Sequence, residues 1–234
     1  VFLQGLSGVG KSVLIQRLLN RYPQVHLHDY FPSYAGALPQ LLWLHIDMPA
    51  SGSLRDLASH LIDATVSALD CGQLADSLYK GRPSGSELFR RWVQIAKSRF
   101  LGVLVLDEVQ NIFGLRSMAQ RSTATKNILR VADDALLKEF LLFANNSQVA
   151  VVMSGTPDAA ELLSKRMSIA QRLITGGSHV MRPFSGIDDP SLGHYLPQLL
   201  KYQFHDSNIE DTVELREIIF FRTAGIRRLI RTLW

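Results

Sequence analysis

The chain has 234 residues, 47% of them hydrophobic, with 25 Lys and Arg against 21 Asp and Glu for a formal charge of +4. That is enough apolar material for one large core or a core with a small second unit, and too weak a charge to argue for nucleic acid by itself. The single cysteine, Cys71, excludes an internal disulfide framework. No apolar run reaches the length of a membrane helix, so a soluble, cytoplasmic chain with no membrane partner is expected.

Short apolar runs alternate with helical patterns, which predicts an α/β fold with a mostly parallel sheet. The chain opens at Val1 inside a strand pattern, Val1-Phe2-Leu3-Gln4, and is therefore expected to be a piece of a longer protein, truncated at both ends. A Gly-rich loop follows, then a helix over Ser12 to Leu19. Leu41 to Asp47 reads as a second strand and Leu54 to Leu69 as an amphipathic helix. Lys80 to Ser86 is a basic Gly-Pro turn, with Ser86 expected to cap a helix over Glu87 to Phe100. Gly102 to Asp107 is a strongly apolar third strand. Leu115 to Asn146 is polar at first and then helical, and Val149 to Met153 is a fourth strand stopped by Ser154-Gly155-Thr156-Pro157. Asp158 to Ile174 reads as a helix and His179 to Phe184 as a fifth strand. From Ser185 on, helical patterns replace the apolar β-branched runs. The expectation is a five-stranded core over 1–184 and a small all-helical lid over 185–234.

Two motifs carry chemistry. Gly5-Leu6-Ser7-Gly8-Val9-Gly10-Lys11-Ser12 fits the phosphate-loop pattern GxxxxGK[ST] in full. A chance match in a chain of this length is about one in a hundred. The loop of Gly5, Ser7, Gly8, Val9 and Gly10 turns backbone N–H groups toward phosphate oxygens, and the helix beginning through Ser12 and Val13 adds its positive end. Lys11 supplies a point charge for the β- and γ-phosphates of ATP, and Ser12 is placed to ligand Mg2+. The second motif is Val103-Leu104-Val105-Leu106-Asp107-Glu108, an apolar strand ending in two carboxylates. Asp107 fits a magnesium-holding residue, directly or through water. Glu108 fits the base that polarises the attacking water.

These stretches together resemble an AAA+ ATPase and, more narrowly, the TnsC/TniB ATPases that regulate DNA transposition. The matching residues are Tyr22 to Val25, Ile46-Asp47 with Gly52-Ser53-Leu54, Leu101 to Gln110, and Ser154 to Pro157. The TnsC branch fits better through Tyr22 to Val25 and Val109-Gln110. The resemblance implies ATP binding between subunits and self-assembly as a ring or helical filament on double-stranded DNA. It also implies a link between a target-site selector protein and a transposase.

It implies residue roles too. Thr156 or Ser154 stands where AAA+ proteins place a polar sensor of the γ-phosphate. Among Lys165, Arg166 and Arg172, Arg172 stands best for the arginine offered to a neighbouring subunit's nucleotide. In Ala224-Gly225-Ile226-Arg227-Arg228, Arg227, ahead of Arg228, matches the second sensor arginine acting in cis. Lys80, Arg82 and Ser84 are the first-ranked DNA contacts, suited to phosphates rather than bases; Arg116, Arg121 and Lys126 form a second basic stretch. Two other readings stay open: an AAA+ replication initiator or helicase loader, and a STAND-type nucleotide-gated signalling switch. The seven histidines and Cys71 show no metal-ligand spacing, and His26 and His28 read as surface or strand residues.

Overall fold

The computed structural model describes residues 1–30, 36–113, 131–164, 176–202 and 209–234; for 113, 131–135, 162 and 164 it describes the backbone alone. Five strands form the central sheet: β1 (Phe2–Gly5), β4 (Trp43–Asp47), β5 (Val103–Asp107), β6 (Ala150–Gly155) and β7 (Ser178–Met181). Their order across the sheet is β4-β5-β6-β1-β7, with every pairing parallel. The chain thus leaves β1 for the far edge and returns strand by strand. A β-hairpin of β2 (Val25–His28) and β3 (Leu38–Leu41) forms a separate antiparallel pair.

Alternation along the strands divides the core. Phe2, Leu44, Leu104, Leu106 and Met153 face one side, in the larger buried cluster with α2 (Leu54–Leu69), α4 (Gly85–Ser98) and α5 (Val131–Asn146). Trp92, Phe89 and Phe143 stack at its centre with ring centroids 5.3 to 6.0 Å apart, and Trp92 Nε1 donates to Thr65 Oγ1 at 3.0 Å. Leu3 and Val105 face the other side and pack on Ile15 of α1 (Lys11–Leu19). A third cluster, Phe184, Leu192, Leu196, Leu200, Ile219 and Ile230, belongs to the C-terminal helices α7 (Pro190–Leu200), α8 (Val213–Thr223) and α9 (Arg227–Leu233).

All five expected core strands are present, and α2 spans Leu54–Leu69 as its spacing predicts, capped by Ser53, whose hydroxyl accepts from the Asp56 amide. Four expectations need correction. Leu41 to Asp47 is not one strand: Leu41 ends β3, and at Leu42 the chain leaves the hairpin and joins β5, with the Val103 amide bonding the Leu42 carbonyl. The cap of α4 is Ser84, not Ser86, because the Ser84 hydroxyl accepts from the Glu87 amide. The fourth strand does not stop before Ser154; β6 runs through Gly155 because β1 pairs with it there. The fifth strand ends at Met181, short of Phe184, which turns into the cluster of the C-terminal helices. The hairpin and α3 (Gly72–Tyr79) are further elements absent from the expectation. Of the helix expected over Asp158 to Ile174, α6 (Pro157–Ser164) is seen; the rest falls outside the described residues. Among the described residues no helix is long and apolar enough to cross a membrane.

Candidate nucleotide site

The carboxyl ends of β1, β5 and β6 meet at one edge of the sheet, where ligands bind in open parallel sheets. The loop leaving β1 passes through Gly8 and Gly10, both in the left-handed region at φ 88° and 103°. A side chain there would be strained, so the motif's glycines are a backbone requirement. Gly10 caps α1, and the first intrahelical bond runs from Leu14 N to the Gly10 carbonyl. The amides of Lys11, Ser12 and Val13 precede it and are open to an anion. Val13 can contribute only this amide, because its side chain points out and is 57% exposed.

Lys11 is 7% exposed, and its ammonium donates to the carbonyls of Gly5 at 2.8 Å and Leu6 at 3.1 Å. Burial lowers its pKa, and the nearby Glu108 and Asp107 carboxylates oppose that shift. Asp107, 1% exposed, ends β5 with its carboxylate on the α1 side of the sheet. Its Oδ2 accepts from Ser12 Oγ at 2.5 Å, and its Oδ1 from the Glu108 amide at 2.8 Å. Two hard oxygen donors from separate elements therefore converge beside a phosphate loop, a donor set that fits a magnesium ion.

Glu108 adopts φ 54°, costly for a non-glycine residue by about 1–2 kcal/mol. This turn sends the chain into a short 3-10 segment, Val109–Phe113. Gln110 in that segment donates from Nε2 to Glu108 Oε2, and its Oε1 accepts from the Thr156 amide at 3.3 Å. The tip of β6 is thereby tied to the acidic pair. Ser154 pairs with Leu3 and lies level with Asp107 one step beyond the Leu106–Met153 pair; its hydroxyl is buried with no hydrogen-bond partner among the described residues. Of the two sensor candidates, Ser154 holds an uncommitted hydroxyl between the loop and Asp107, while Thr156 is anchored through its backbone.

The C-terminal helices reach the same loop. Arg227 Nη1 donates to the Val9 carbonyl at 2.8 Å and to the Arg182 carbonyl at 3.3 Å, and its guanidinium lies 4.4 Å from the centre of the Phe184 ring. The Arg228 amide donates to the Gly8 carbonyl at 3.0 Å. A Cβ on Gly8 would come within 2.9 Å of the Arg228 side chain, a second reason for glycine at that position.

The basic turn lies elsewhere. Lys80, Arg82 and Ser84 are all exposed, between α3 and α4. Arg91 donates to the Leu78 and Lys80 carbonyls at 2.9 and 2.8 Å, and Arg55 to the Pro83 carbonyl at 2.8 Å, so two further guanidinium groups brace the turn. Ser84 spends its hydroxyl on the α4 cap, leaving Lys80 and Arg82 as the long exposed cations. Lys165, Arg166 and Arg172, and the stretch with Arg116, Arg121 and Lys126, fall outside the described residues.

Three features had no role assigned from sequence. Gln110 was visible only as part of a family match, although an amide two residues after a carboxylate offers a donor and an acceptor together. Phe184 falls in a strand pattern by sequence, and its ring serves the C-terminal cluster and Arg227 instead. His45 and Asp47 come beside Asp107, the three offering ligand atoms within 4.8 Å of one another, because Asp47 pairs with Asp107 across the β4–β5 ladder. No short-range spacing could reveal that.

A parallel sheet in this order, a phosphate loop after its first strand, an acidic pair at the end of β5 and a helical part folded back on the loop define the P-loop α/β class with the AAA+ arrangement. The family comparison agrees: residues 1–163 match the AAA domain, and the chain belongs to this family of nucleotide-hydrolysing ATPases. Among solved structures, the fold is similar to that of the Aeropyrum pernix Orc1 protein in complex with DNA, with a TM-score of 0.58 and 18% identity. That match covers 98% of this chain and 51% of the other, so the chain spans about half the length of the Orc1 structure. No curated protein sequence gives a significant match.

Proposed function

We propose that the chain is the ATP-binding and ATP-hydrolysing unit of a regulator of DNA transposition, closest to the TnsC type, assembling with copies of itself on double-stranded DNA. The division near residue 184 is then one between a nucleotide-binding core and a helical lid. The observation that carries the catalytic part is the convergence of Lys11, Ser12, Asp107 and Glu108 at one edge of the sheet, with Ser12 and Asp107 2.5 Å apart. Lys11 holds and neutralises the β- and γ-phosphates. Ser12 and Asp107 hold Mg2+, which supplies charge neutralisation across the phosphates. Glu108 accepts the proton of the attacking water, Ser154 or Thr156 donates to the γ-phosphate or that water, and Arg227 reaches the phosphates in cis. Arg172 of a neighbouring copy stabilises charge on the transferred group. The family stretches around Tyr22 to Val25 and Val109-Gln110 support the transposition reading, with a target selector and a transposase as protein partners.

Lys80 and Arg82 support the DNA part: two exposed cations on a turn braced by Arg55 and Arg91, suited to phosphate contacts. A single subunit offers few contacts, so affinity arises from many subunits held together by ATP. Fluorescence anisotropy with two unrelated duplexes, across a salt series with and without a non-hydrolysable ATP analogue, tests this. Binding should require the nucleotide and be equal on both duplexes. The double change Lys80→Ala and Arg82→Ala should flatten the slope of log affinity against log salt while leaving ATP affinity intact. Tight binding without nucleotide, or an unchanged slope, would refute the placement.

A second reading, a replication initiator or helicase loader, draws on the fold likeness to an Orc1 protein whose solved structure contains DNA. A transposase gene beside the gene for this chain separates the two.

A further inference from the structure

Glu108 and the tip of β6 lie on different elements, and one side chain joins them. Gln110 donates through Nε2 to Glu108 Oε2 and accepts through Oε1 from the Thr156 amide. The bridge depends on close approach. Gly155 leaves the space, since a Cβ there would come within 2.7 Å of Val109 Cγ2 and 3.1 Å of Gln110 Oε1. The base of the bridge is pinned as well: Asn111 Nδ2 donates to the Met48 carbonyl at 2.8 Å, and a Cβ on Gly52 would meet the Asn111 carbonyl at 2.7 Å. Glu108 itself turns through a left-handed backbone conformation.

We infer that Gln110 is a positioning residue for hydrolysis: it fixes the Glu108 carboxylate through one oxygen, leaves the other for the water, and ties that orientation to the β6 tip at Thr156. The inference rests on Glu108 being the base. The bridge needs a donor at one end and an acceptor at the other, which a glutamine side chain supplies and a glutamate cannot, since its carboxylate would face that of Glu108. A displacement of the γ-phosphate sensor strand would then move the base with it, so that the two act as one unit.

The test measures phosphate release and ATP affinity in the whole protein for Q110A, Q110E, E108Q and the double variant E108Q/Q110A. Both Gln110 variants should lower kcat about tenfold or more, as expected for a misaimed base, with ATP affinity within about twofold of wild type. Q110E keeps the length and volume of glutamine, so a loss as large as that of Q110A separates a hydrogen-bonding role from a packing one. In the E108Q background, Q110A should change the residual rate by less than about twofold, because the group it aims is already gone. Wild-type turnover in Q110A and Q110E, with E108Q inactive, would overturn the role of Gln110 alone. Faster turnover in Q110A would overturn it too, showing a restraint rather than an aid. Equal losses of affinity and rate would reduce Gln110 to a structural part. Wild-type turnover in E108Q would instead remove the base assignment on which the inference stands.

Discussion

The phosphate loop meets two kinds of neighbour. On its sheet side it touches Asp107, a buried carboxylate at the end of a central strand, held from behind by the larger of the hydrophobic clusters. On its other side it touches the N-terminal end of α9 through hydrogen bonds to the carbonyls of Gly8 and Val9, backed by the small cluster around Leu192 and Ile219. The first contact is set by strand register and cannot shift without unpairing the ladder. The second consists of a few hydrogen bonds, each worth about 0.5–1.5 kcal/mol net. The carboxylates therefore sit on the side fixed by strand pairing, and the side held by fewer contacts carries an arginine.

The largest effect should come from attacking the rigid side far from the chemistry. Trp92→Ala removes a fully buried ring and its bond to Thr65, and should lower global stability by about 3–5 kcal/mol in denaturant unfolding. A loss below about 1 kcal/mol would mean that the core does not hold the sheet as described.

Glu108→Gln should cut turnover by about 100-fold or more while ATP and magnesium still bind, as steady-state hydrolysis and a nucleotide titration would measure. ATP-dependent assemblies on DNA should then last longer. Next in size, Lys11→Ala should weaken ATP binding at least about tenfold, or about 1.4 kcal/mol, in a titration with labelled ATP. Unchanged affinity would contradict the phosphate-loop assignment.

The smallest change sharpens the contrast. Arg227→Ala removes the guanidinium from the Val9 carbonyl and the Phe184 ring. It should slow hydrolysis about fivefold, the equivalent of one hydrogen bond. Amide exchange in α9 should quicken, while the denaturant midpoint barely moves. If Arg227→Ala unfolds the protein as Trp92→Ala should, the two sides of the loop are equally rigid and the comparison fails.

Much of the site was legible in the amino-acid sequence because its key parts are local. The phosphate loop needs glycines where φ is positive and a lysine at the start of a helix, and that requirement is written over eight consecutive residues. The acidic pair ends an apolar run, and alternation within that run already assigns Asp107 to the face of Val105. Short apolar runs and helical spacing also carried the five core strands and α2. The hairpin was harder to read: β2 alternates but spans only four residues, none of them buried, and β3 contains Pro39.

What the tertiary structure alone decided are the relations between distant segments. The order of strands brings Asp107 to Ser12 across 95 residues of chain, and Asp47 and His45 beside it. Gly155 has a packing reason only because Val109 and Gln110 occupy the space a Cβ would fill, and Arg227 has an address only because α9 folds back onto Val9, 218 residues earlier. Local sequence encodes the backbone conformations and apolar faces available to each segment. Which faces meet is settled by burying them together, and that choice places one polar side chain within reach of another.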